Sequence, residues 1–248
     1  MLPFLERILN TLTVLEHPGA LKEFFASKAF STPCMQLNRA LKSHQSYFET
    51  ILDVGANVGQ FALAAALHFP EAEIYSFEPL TDLFEELQVN TRRKSNIKTF
   101  NCALGTYNGR IPFYRNRYTR LSSSLKIHQK NNHLRYHQNL TSLTEVEIVR
   151  LDEFSILSDI GSPALLKIDV QGMEMDVLKG ATGIVSKIDL ILCEVALVQL
   201  YENQPVFDDI HFFMKNIRYE LVAPLYVNKG KGGKAIEVDF LYRKKTRE

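Results

Sequence analysis

Acidic residues stand at the ends of short apolar runs in this sequence, close to glycines that permit a tight bend. Asp53 precedes Gly55 and Gly59. Glu78 ends a second apolar run, and Asp169 ends a third. Glycine lets a ligand approach the backbone closely, and an acidic residue after the second strand can accept hydrogen bonds from ribose hydroxyls. The combination predicts a site for an adenosine-bearing cofactor.

The glycine spacing and the charges separate two kinds of adenosine cofactor. A dinucleotide fingerprint needs glycine at positions 57 and 60, which hold Asn57 and Gln60. Carboxylates gathered in one crevice would repel a pyrophosphate, whereas S-adenosyl-L-methionine carries a cationic sulfonium and a cationic amino group. The pattern therefore favours S-adenosylmethionine. An NAD-dependent oxidoreductase and a non-catalytic nucleoside-binding protein stay as alternatives.

Apolar runs alternate with helical patterns from residue 50 onwards, which is typical of a parallel sheet with right-handed crossovers. We predict strands at 50–54, 73–77, 96–102, 164–170 and 189–195, helices at 61–69, 81–93, 172–179 and 206–216, and a terminal antiparallel hairpin near 219–227 and 235–242. The carboxyl ends of the strands of a doubly wound sheet meet in one crevice. Asp53, Glu78 and Asp169 should therefore lie together.

Four side chains are candidates for catalysis of methyl transfer, which gains from alignment of the acceptor and from a positioned base. Asp169 is the first, with a contact to the cofactor's ammonium or a helix cap as the alternative. Lys167 precedes it by two residues and points to the same face; pairing with Asp169 or Glu194 is its alternative role. Glu174 lies in the first turn of a helix, and Glu194 ends the fifth strand.

Several segments together resemble the FkbM family of methyltransferases. They are residues 52–61, 77–79, 101–105, 149–153, 166–174 and 177–181, in the expected order. The resemblance implies a Rossmann-like class I methyltransferase fold, an α/β doubly wound and mostly parallel sheet with an antiparallel last strand. It also implies S-adenosylmethionine as the cofactor and O-methylation of a hydroxyl, often on a sugar or a natural product.

The resemblance also assigns residues to parts of the cofactor. Gly55, Asn57 and Gly59 would contact its methionine part, Glu78 its ribose, and residues 101–103 its adenine. The full set of predicted cofactor-binding residues is Asp53, Gly55, Ala56, Asn57, Gly59, Glu78, Pro79, Asn101, Cys102, Ala103 and Asp169. The family often has glutamate where this chain has Gln171, so a base role for that position is not expected.

The remaining segments suggest the domain organisation. Residues 1–47 form a predicted helical extension with an apolar stripe of Leu2, Leu5, Leu9 and Leu12, and residues 48–248 form the methyltransferase domain. Seven cations and no carboxylate occur between residues 110 and 144. We interpret residues 110–148 as an inserted, mobile substrate loop that favours an anionic or phosphorylated acceptor; a solvated basic surface is the alternative.

Composition excludes other classes of protein. The net charge of +1 argues against a nucleic-acid binder, and no apolar run is long enough to span a membrane. No signal-peptide pattern occurs, which predicts a cytoplasmic protein. Cys34, Cys102 and Cys193 lack the spacing of a metal site. The expected partners are a small-molecule acceptor, anionic or saccharide, and a second copy docked through the N-terminal helices as a homodimer.

Overall fold

Apolar runs of about five residues alternate with helices along this chain, and the computed structural model describes residues 19–20, 27, 29–128, 141–154, 157 and 160–246. The bounded α-helices in that part of the chain are α1 (Thr32–His44), α2 (Gln60–His68), α3 (Thr81–Thr91), α4 (Glu174–Gly180) and α5 (Phe207–Asn216). The strands are β1 (Thr50–Val54), β2 (Glu73–Phe77), β3 (Ile97–Phe100), β4 (Ala103–Leu104), β5 (Gly109–Asn116), β6 (Thr141–Val149), β7 (Ala164–Ile168), β8 (Leu190–Ala196), β9 (Tyr219–Lys229) and β10 (Ala235–Lys244). The predicted leucine stripe of the N-terminal extension lies outside the described residues.

The main sheet has the strand order β3-β2-β1-β7-β8-β10-β9. Its first five strands are parallel, and β10 runs antiparallel to both β8 and β9. Every residue of β1 and of β7 is buried, as expected for parallel strands that are covered on both faces. The prediction of a doubly wound, mostly parallel sheet with a reversed last strand is confirmed.

Helices on one side of the sheet include the described part of the N-terminal extension. Leu41 of α1 packs with Phe61, Ala62 and Ala65 of α2 in one hydrophobic cluster. This cluster also contains apolar side chains of β1, β7 and β8. The α1 helix therefore belongs to the same core as the sheet. None of the helices in the described ranges is long and apolar enough to cross a membrane.

A second, three-stranded sheet of order β4-β6-β5 differs from the predicted loop over residues 110–148. Four apolar side chains of β5 and β6 pack against Leu83 of α3 and against Leu80, which precedes that helix. They are Ile111, Phe113, Val146 and Ile148. The loop prediction was wrong for both ends of the segment, because it weighed the charges and not the alternation of apolar and polar residues. Residues 129–140 lie outside the described part.

Two of the cations in that segment form ion pairs. Arg110 lies 3.5 Å from Glu145 on the neighbouring strand, and Arg115 forms an ion pair with Asp82 at the start of α3. Both pairs are partly or largely exposed, so each contributes little to stability. The first pair joins two strands of the small sheet, and the second joins this sheet to α3.

Two glycines from separate motifs of the sequence are in close contact in the structure. A Cβ atom on Gly180, at the end of α4, would lie 1.8 Å from the carbonyl oxygen of Gly105, which follows β4. Any side chain at Gly180 would therefore push the α4 helix away from the second sheet. Gly105 and Gly180, which belong to the segments 101–105 and 177–181, thus allow the backbone at the end of α4 to contact the backbone that follows β4.

Candidate functional site

The turn after β1 is pressed against the ends of both neighbouring strands. Gly55 has a φ of +79°, and its N–H and that of Ala56 both donate to the carbonyl of Phe77 at the end of β2. On the other side, a Cβ atom on Gly55 would lie 1.9 Å from the carbonyl oxygen of Asp169. Only glycine permits this approach between the β1 and β7 turns, which form the floor of a cavity.

Glu78 is held in place by the backbone. One carboxylate oxygen accepts from the N–H of Asn57 at 2.9 Å, and the other accepts from the N–H of Leu80 at 3.0 Å. The side chain is buried, and burial raises its pKa to about 7, although these two hydrogen bonds lower it. Each oxygen has a further lone pair for a ligand hydroxyl. Glu78 is therefore a rigid acceptor at the end of β2.

Lys167 connects two carboxylates with the glycine turn. Its Nζ lies 3.0 Å from Oδ1 of Asp53 and 3.6 Å from Oδ2 of Asp169, and it donates to the carbonyl of Gly55 at 3.1 Å. Neither oxygen of Asp53 accepts a well-directed hydrogen bond from the described residues. Burial raises the pKa of Asp53 in spite of Lys167, whereas the two carboxylates raise the pKa of Lys167 in spite of its burial. The lysine therefore keeps its charge.

A row of carboxylates continues from Asp169 across the next strands. Glu194 of β8 is paired in register with Asp239 of β10, and Glu237 stands two residues earlier on the same strand. Burial raises the pKa of Asp239 and of Glu237 to about 7. Glu237 also accepts from the side chain of Asn228 at 2.8 Å. Sequence analysis missed Glu237 and Asp239; their alternation on a strand beside Glu194 was the available signal.

These groups surround a cavity of about 410 Å³ over the carboxyl ends of β1, β2, β7 and β8. Ten of the predicted site residues line it: Gly55, Ala56, Asn57, Glu78, Pro79, Cys102, Ala103, Lys167, Asp169 and Glu194. Glu237, Asp239, Asn228 and Tyr226 line its other end. The wall near Cys102 and Ala103 is extended by apolar side chains of the second sheet. One end of the cavity is therefore partly apolar, and the other end is acidic.

Four predicted site residues do not line the cavity but support its walls. Asp53 lies beneath Lys167, and Gly59 precedes α2 and faces a leucine of α3. The side chain of Asn101 donates to the carbonyls of Glu78 and of the following proline. Glu174 is buried and accepts from the N–H of residue 172 at 2.9 Å. Their predicted contacts to ligands stay predictions.

A short segment after β5 closes one side of the cavity. Thr119, Arg120, Leu121, Ser122 and Ser124 line it. The side chain of Asn57 donates to Oγ1 of Thr119 at 3.3 Å, and Oγ of Ser123 donates to the carbonyl of Gln171 at 2.6 Å. The segment is thus tied to both the β1 turn and the β7 turn. Arg120 is the cation of the predicted basic loop that reaches the cavity among the described residues.

Two buried carboxyl groups have raised pKa values, and we therefore expect the ligand-free protein to lose stability as the pH rises. The pKa of Glu78 and that of Glu174 are raised to about 7 by burial, whereas an unfolded glutamate has a value of about 4.3. Between these two values the folded protein binds more protons than the unfolded chain, so the free energy of unfolding falls with increasing pH. We expect the midpoint of thermal unfolding to decrease from about pH 5 to about pH 8.

The control for this pH dependence is the double variant Glu78→Gln, Glu174→Gln, measured by the same thermal unfolding series. Because an amide does not titrate, its profile should be flatter than that of the unmodified chain. A midpoint that increases over this pH range, or a slope that the double variant leaves unchanged, would contradict the interpretation.

Comparison with known proteins assigns most of the chain to a described family. The family model "Methyltransferase FkbM domain" matches residues 53–221. The 2-O-methyltransferase NoeI of Sinorhizobium fredii is 29% identical over 193 residues, which cover 74% of this chain and 79% of that protein. The hexuronic acid methyltransferase AglP of Haloferax volcanii is 28% identical over 151 residues, 59% of this chain and 56% of that protein. The chain thus spans just over half the length of AglP.

A solved structure supports the fold assignment. The 1,6-didemethyltoxoflavin-N1-methyltransferase of Burkholderia thailandensis, whose crystal structure contains S-adenosylhomocysteine, superposes with a TM-score of 0.50 at 9% identity. The match covers 97% of this chain and 89% of that one. The family match begins at Asp53 and ends within β9, so Glu237 and Asp239 lie beyond it.

Proposed function

Because the chain belongs to the family of methyltransferase FkbM domains and is therefore a methyltransferase, we propose that it transfers a methyl group from S-adenosylmethionine to a hydroxyl of a small, sugar-like molecule. The observation that carries the proposal is one cavity over the adjoining turns of Gly55 and Asp169, with Glu78 towards β2 and Glu194 towards β8. Cofactor and acceptor would meet over these turns.

The residues present fit the cofactor in their chemistry. Glu78 offers an oriented carboxylate to ribose hydroxyls, and the turn after Gly55 lets a ligand lie close to the backbone. Cys102 and Ala103 line the partly apolar wall, which suits adenine. Asp169 stands where it can accept from an ammonium group. When bound, S-adenosylmethionine supplies a methyl group on a cationic sulfur, and these carboxylates match its positive charge.

Two carboxylates are the candidates for taking the proton that the acceptor hydroxyl loses. Asp169 and Glu194 both line the cavity, and the side chain of Gln171 donates to both. Burial and the charges of Asp169, Glu237 and Asp239 raise the pKa of Glu194 well above its ordinary value. A carboxylate with a raised pKa is a stronger base than an ordinary one, which favours proton transfer from a hydroxyl. We assign the base role to this pair.

The charges at the acceptor end favour one of the two predicted acceptor classes. Glu194, Glu237 and Asp239 would repel an anionic or phosphorylated molecule, whereas they can accept hydrogen bonds from several hydroxyls. The exposed Arg120 is one cation against these three carboxylates. NoeI is a 2-O-methyltransferase, which agrees with a hydroxyl as the acceptor, whereas the hexuronic acid of AglP is an anionic sugar. On the charges of this cavity we propose a neutral saccharide or another polyhydroxylated molecule as the acceptor.

Binding and transfer experiments test this function. Calorimetry with S-adenosylmethionine, S-adenosylhomocysteine and NAD should show binding of the first two compounds and not of NAD. A screen of neutral sugars and uronic acids with tritiated methyl donor should then label a neutral sugar. Binding of NAD alone would contradict the proposal. Cofactor binding without a labelled product across the screen would favour a non-catalytic nucleoside-binding protein.

Replacement of Glu78 tests the ribose role directly. We expect Glu78→Ala to weaken S-adenosylhomocysteine binding by about 1–3 kcal/mol, because charge-assisted hydrogen bonds are lost. Calorimetry measures the effect as a change in Kd. Glu86→Gln, on the exposed face of α3, is the control for loss of one negative charge and should bind normally. An unchanged Kd in Glu78→Ala would remove Glu78 from the ribose site.

A further inference from the structure

Gln171 joins three parts of the site through one side chain. Its Nε2 donates to Oδ1 of Asp169 at 3.2 Å and to Oε2 of Glu194 at 2.6 Å. Its Oε1 accepts from the hydroxyl of the fully buried Tyr201 at 3.0 Å. Its backbone has a φ of +53°, a left-handed conformation that is uncommon for a residue with a side chain. The turn after β7 is therefore built to bring this amide between the two carboxylates.

With both carboxylates ionised, the hydrogen bonds favour one orientation of the amide group. The hydroxyl of Tyr201, which also lies 3.3 Å from the carbonyl oxygen of Leu121, can donate to the carbonyl oxygen of Gln171, and ionised carboxylates can only accept. The reverse orientation would then place an amide oxygen 2.6 Å from an ionised oxygen of Glu194 and make that contact repulsive. Gln171 thus supplies two N–H donors where the sheet register places two acidic side chains together.

We propose that Gln171 is a positioning residue that holds Asp169 and Glu194 together as one proton-accepting pair and determines the pH range in which the pair can accept a proton. The use of this pair in methyl transfer rests on the proposed function, whereas the hydrogen-bonded unit itself does not. Gln171 acts through the two carboxylates and takes no proton itself.

A carboxylate at position 171 would change the number of protons that the unit binds. Glutamate, which the resemblance makes common at this position, would bring a third carboxylate within 2.6 Å of Glu194. Two carboxylates at such a distance cannot both be ionised, so the unit would bind an additional proton near neutral pH. The amide avoids this, because its N–H groups donate to both neighbours.

Other titratable and charged groups face this unit from the surrounding elements. They are Asp53 and Lys167 in β1 and β7, Glu78 after β2, Glu174 in α4, Tyr201 after β8, Tyr226 in β9, Glu237 and Asp239 in β10, Cys34 in α1, Cys193 in β8 and Arg120 after β5. Five of these eleven groups are carboxyls. Burial and the charges of Asp169, Glu237 and Asp239 raise the pKa of Glu194, and Gln171 is the side chain that donates hydrogen bonds to both carboxylates of the unit.

Titration of the carboxyl groups tests the proposal without cofactor or acceptor. The full chain, with ¹³C-labelled Asp and Glu carboxyl carbons, would be titrated by NMR, with signals assigned through Asp169→Asn and Glu194→Gln. We expect Gln171→Glu to raise the pKa of Glu194 by about one pH unit or more. Gln171→Met, which has a similar length but no N–H donors, should also raise it. Gln88→Glu, on the exposed face of α3, adds the same charge elsewhere and should leave it unchanged.

The methionine variant separates positioning from space filling, and it keeps the test available if Gln171→Glu fails to fold. A Glu194 titration that is the same in Gln171→Met as in the unmodified chain would overturn the proposal, because a side chain of similar size would then suffice. Calorimetry with S-adenosylhomocysteine on the unmodified chain separates a failure of the proposed function from a failure of the proposal for Gln171. If the unmodified chain did not bind S-adenosylhomocysteine, the proposed function would be contradicted, but the titration of Glu194 would be unaffected.

Discussion

Gly55→Ala should abolish cofactor binding and lower the stability of the fold. The new Cβ atom would lie 1.9 Å from the carbonyl oxygen of Asp169 and 2.9 Å from its carbonyl carbon. Both are backbone atoms, and the turn cannot move towards β2, because Phe77 already accepts from two of its N–H groups. Left-handed strain of about 1–2 kcal/mol adds to an overpacking cost of about 1–3 kcal/mol.

Denaturant unfolding and calorimetry with S-adenosylhomocysteine would measure these two losses. Gly232→Ala is a matched control, since Gly232 has a φ of +81° and no atom within 4 Å of its Cβ position. It should show the backbone strain without the steric clash and should bind normally. If the two variants lost equal stability and both kept the cofactor, the close approach of the β1 and β7 turns would not control the site.

Lys167→Met should cost about 3–5 kcal/mol of unfolding free energy, because one partner of a buried ion pair is removed. Asp53 would stay fully buried without a counter-ion, and the carbonyl of Gly55 would lose its donor. The pKa of Asp53 would rise further in the folded state. The loss should therefore be smaller near pH 5, where the aspartate is more easily protonated, than near pH 8.

Urea unfolding at these two pH values would test this prediction. Lys98→Met is the control, since Lys98 forms an exposed pair with Glu73 at a similar distance of 3.1 Å; we expect a loss of less than about 1 kcal/mol. The double variant Lys167→Met, Asp53→Asn should recover part of the loss, because no buried charge is left. Equal losses in Lys167→Met and Lys98→Met would show that the buried pair is no more important than the surface pair.

The predictions from sequence were most accurate where local pattern and burial agree. β1 and β7 are short apolar runs, and the structure places strands at both. Once these strands are parallel neighbours, the residues after them must share one edge of the sheet. The approach of Gly55 to Asp169 follows from that topology, although its distance does not.

The second sheet and the acidic wall were harder to predict, because they depend on contacts between distant segments. The apolar residues of β5 and β6 alternate over only a few positions, and a long polar stretch separates them. In the sequence, Glu237 and Asp239 resemble ordinary exposed charges on a terminal strand. They are largely buried because β10 lies between β8 and β9 in the sheet. Burial of these carboxylates is a property of the strand order, which no local pattern contains.

The amino-acid sequence by itself determined the fold class, the glycine turn, and the acidic residues at or near the ends of the first, second and fourth strands of the sheet's parallel part. Backbone freedom and apolar periodicity are local properties. The tertiary structure decided which of these acidic side chains face the cavity. Asp53 is buried beneath Lys167, whereas Glu78, Asp169 and Glu194 line the cavity wall. The physical reason is that exposure and charge pairing depend on neighbours that packing brings together from distant positions in the chain.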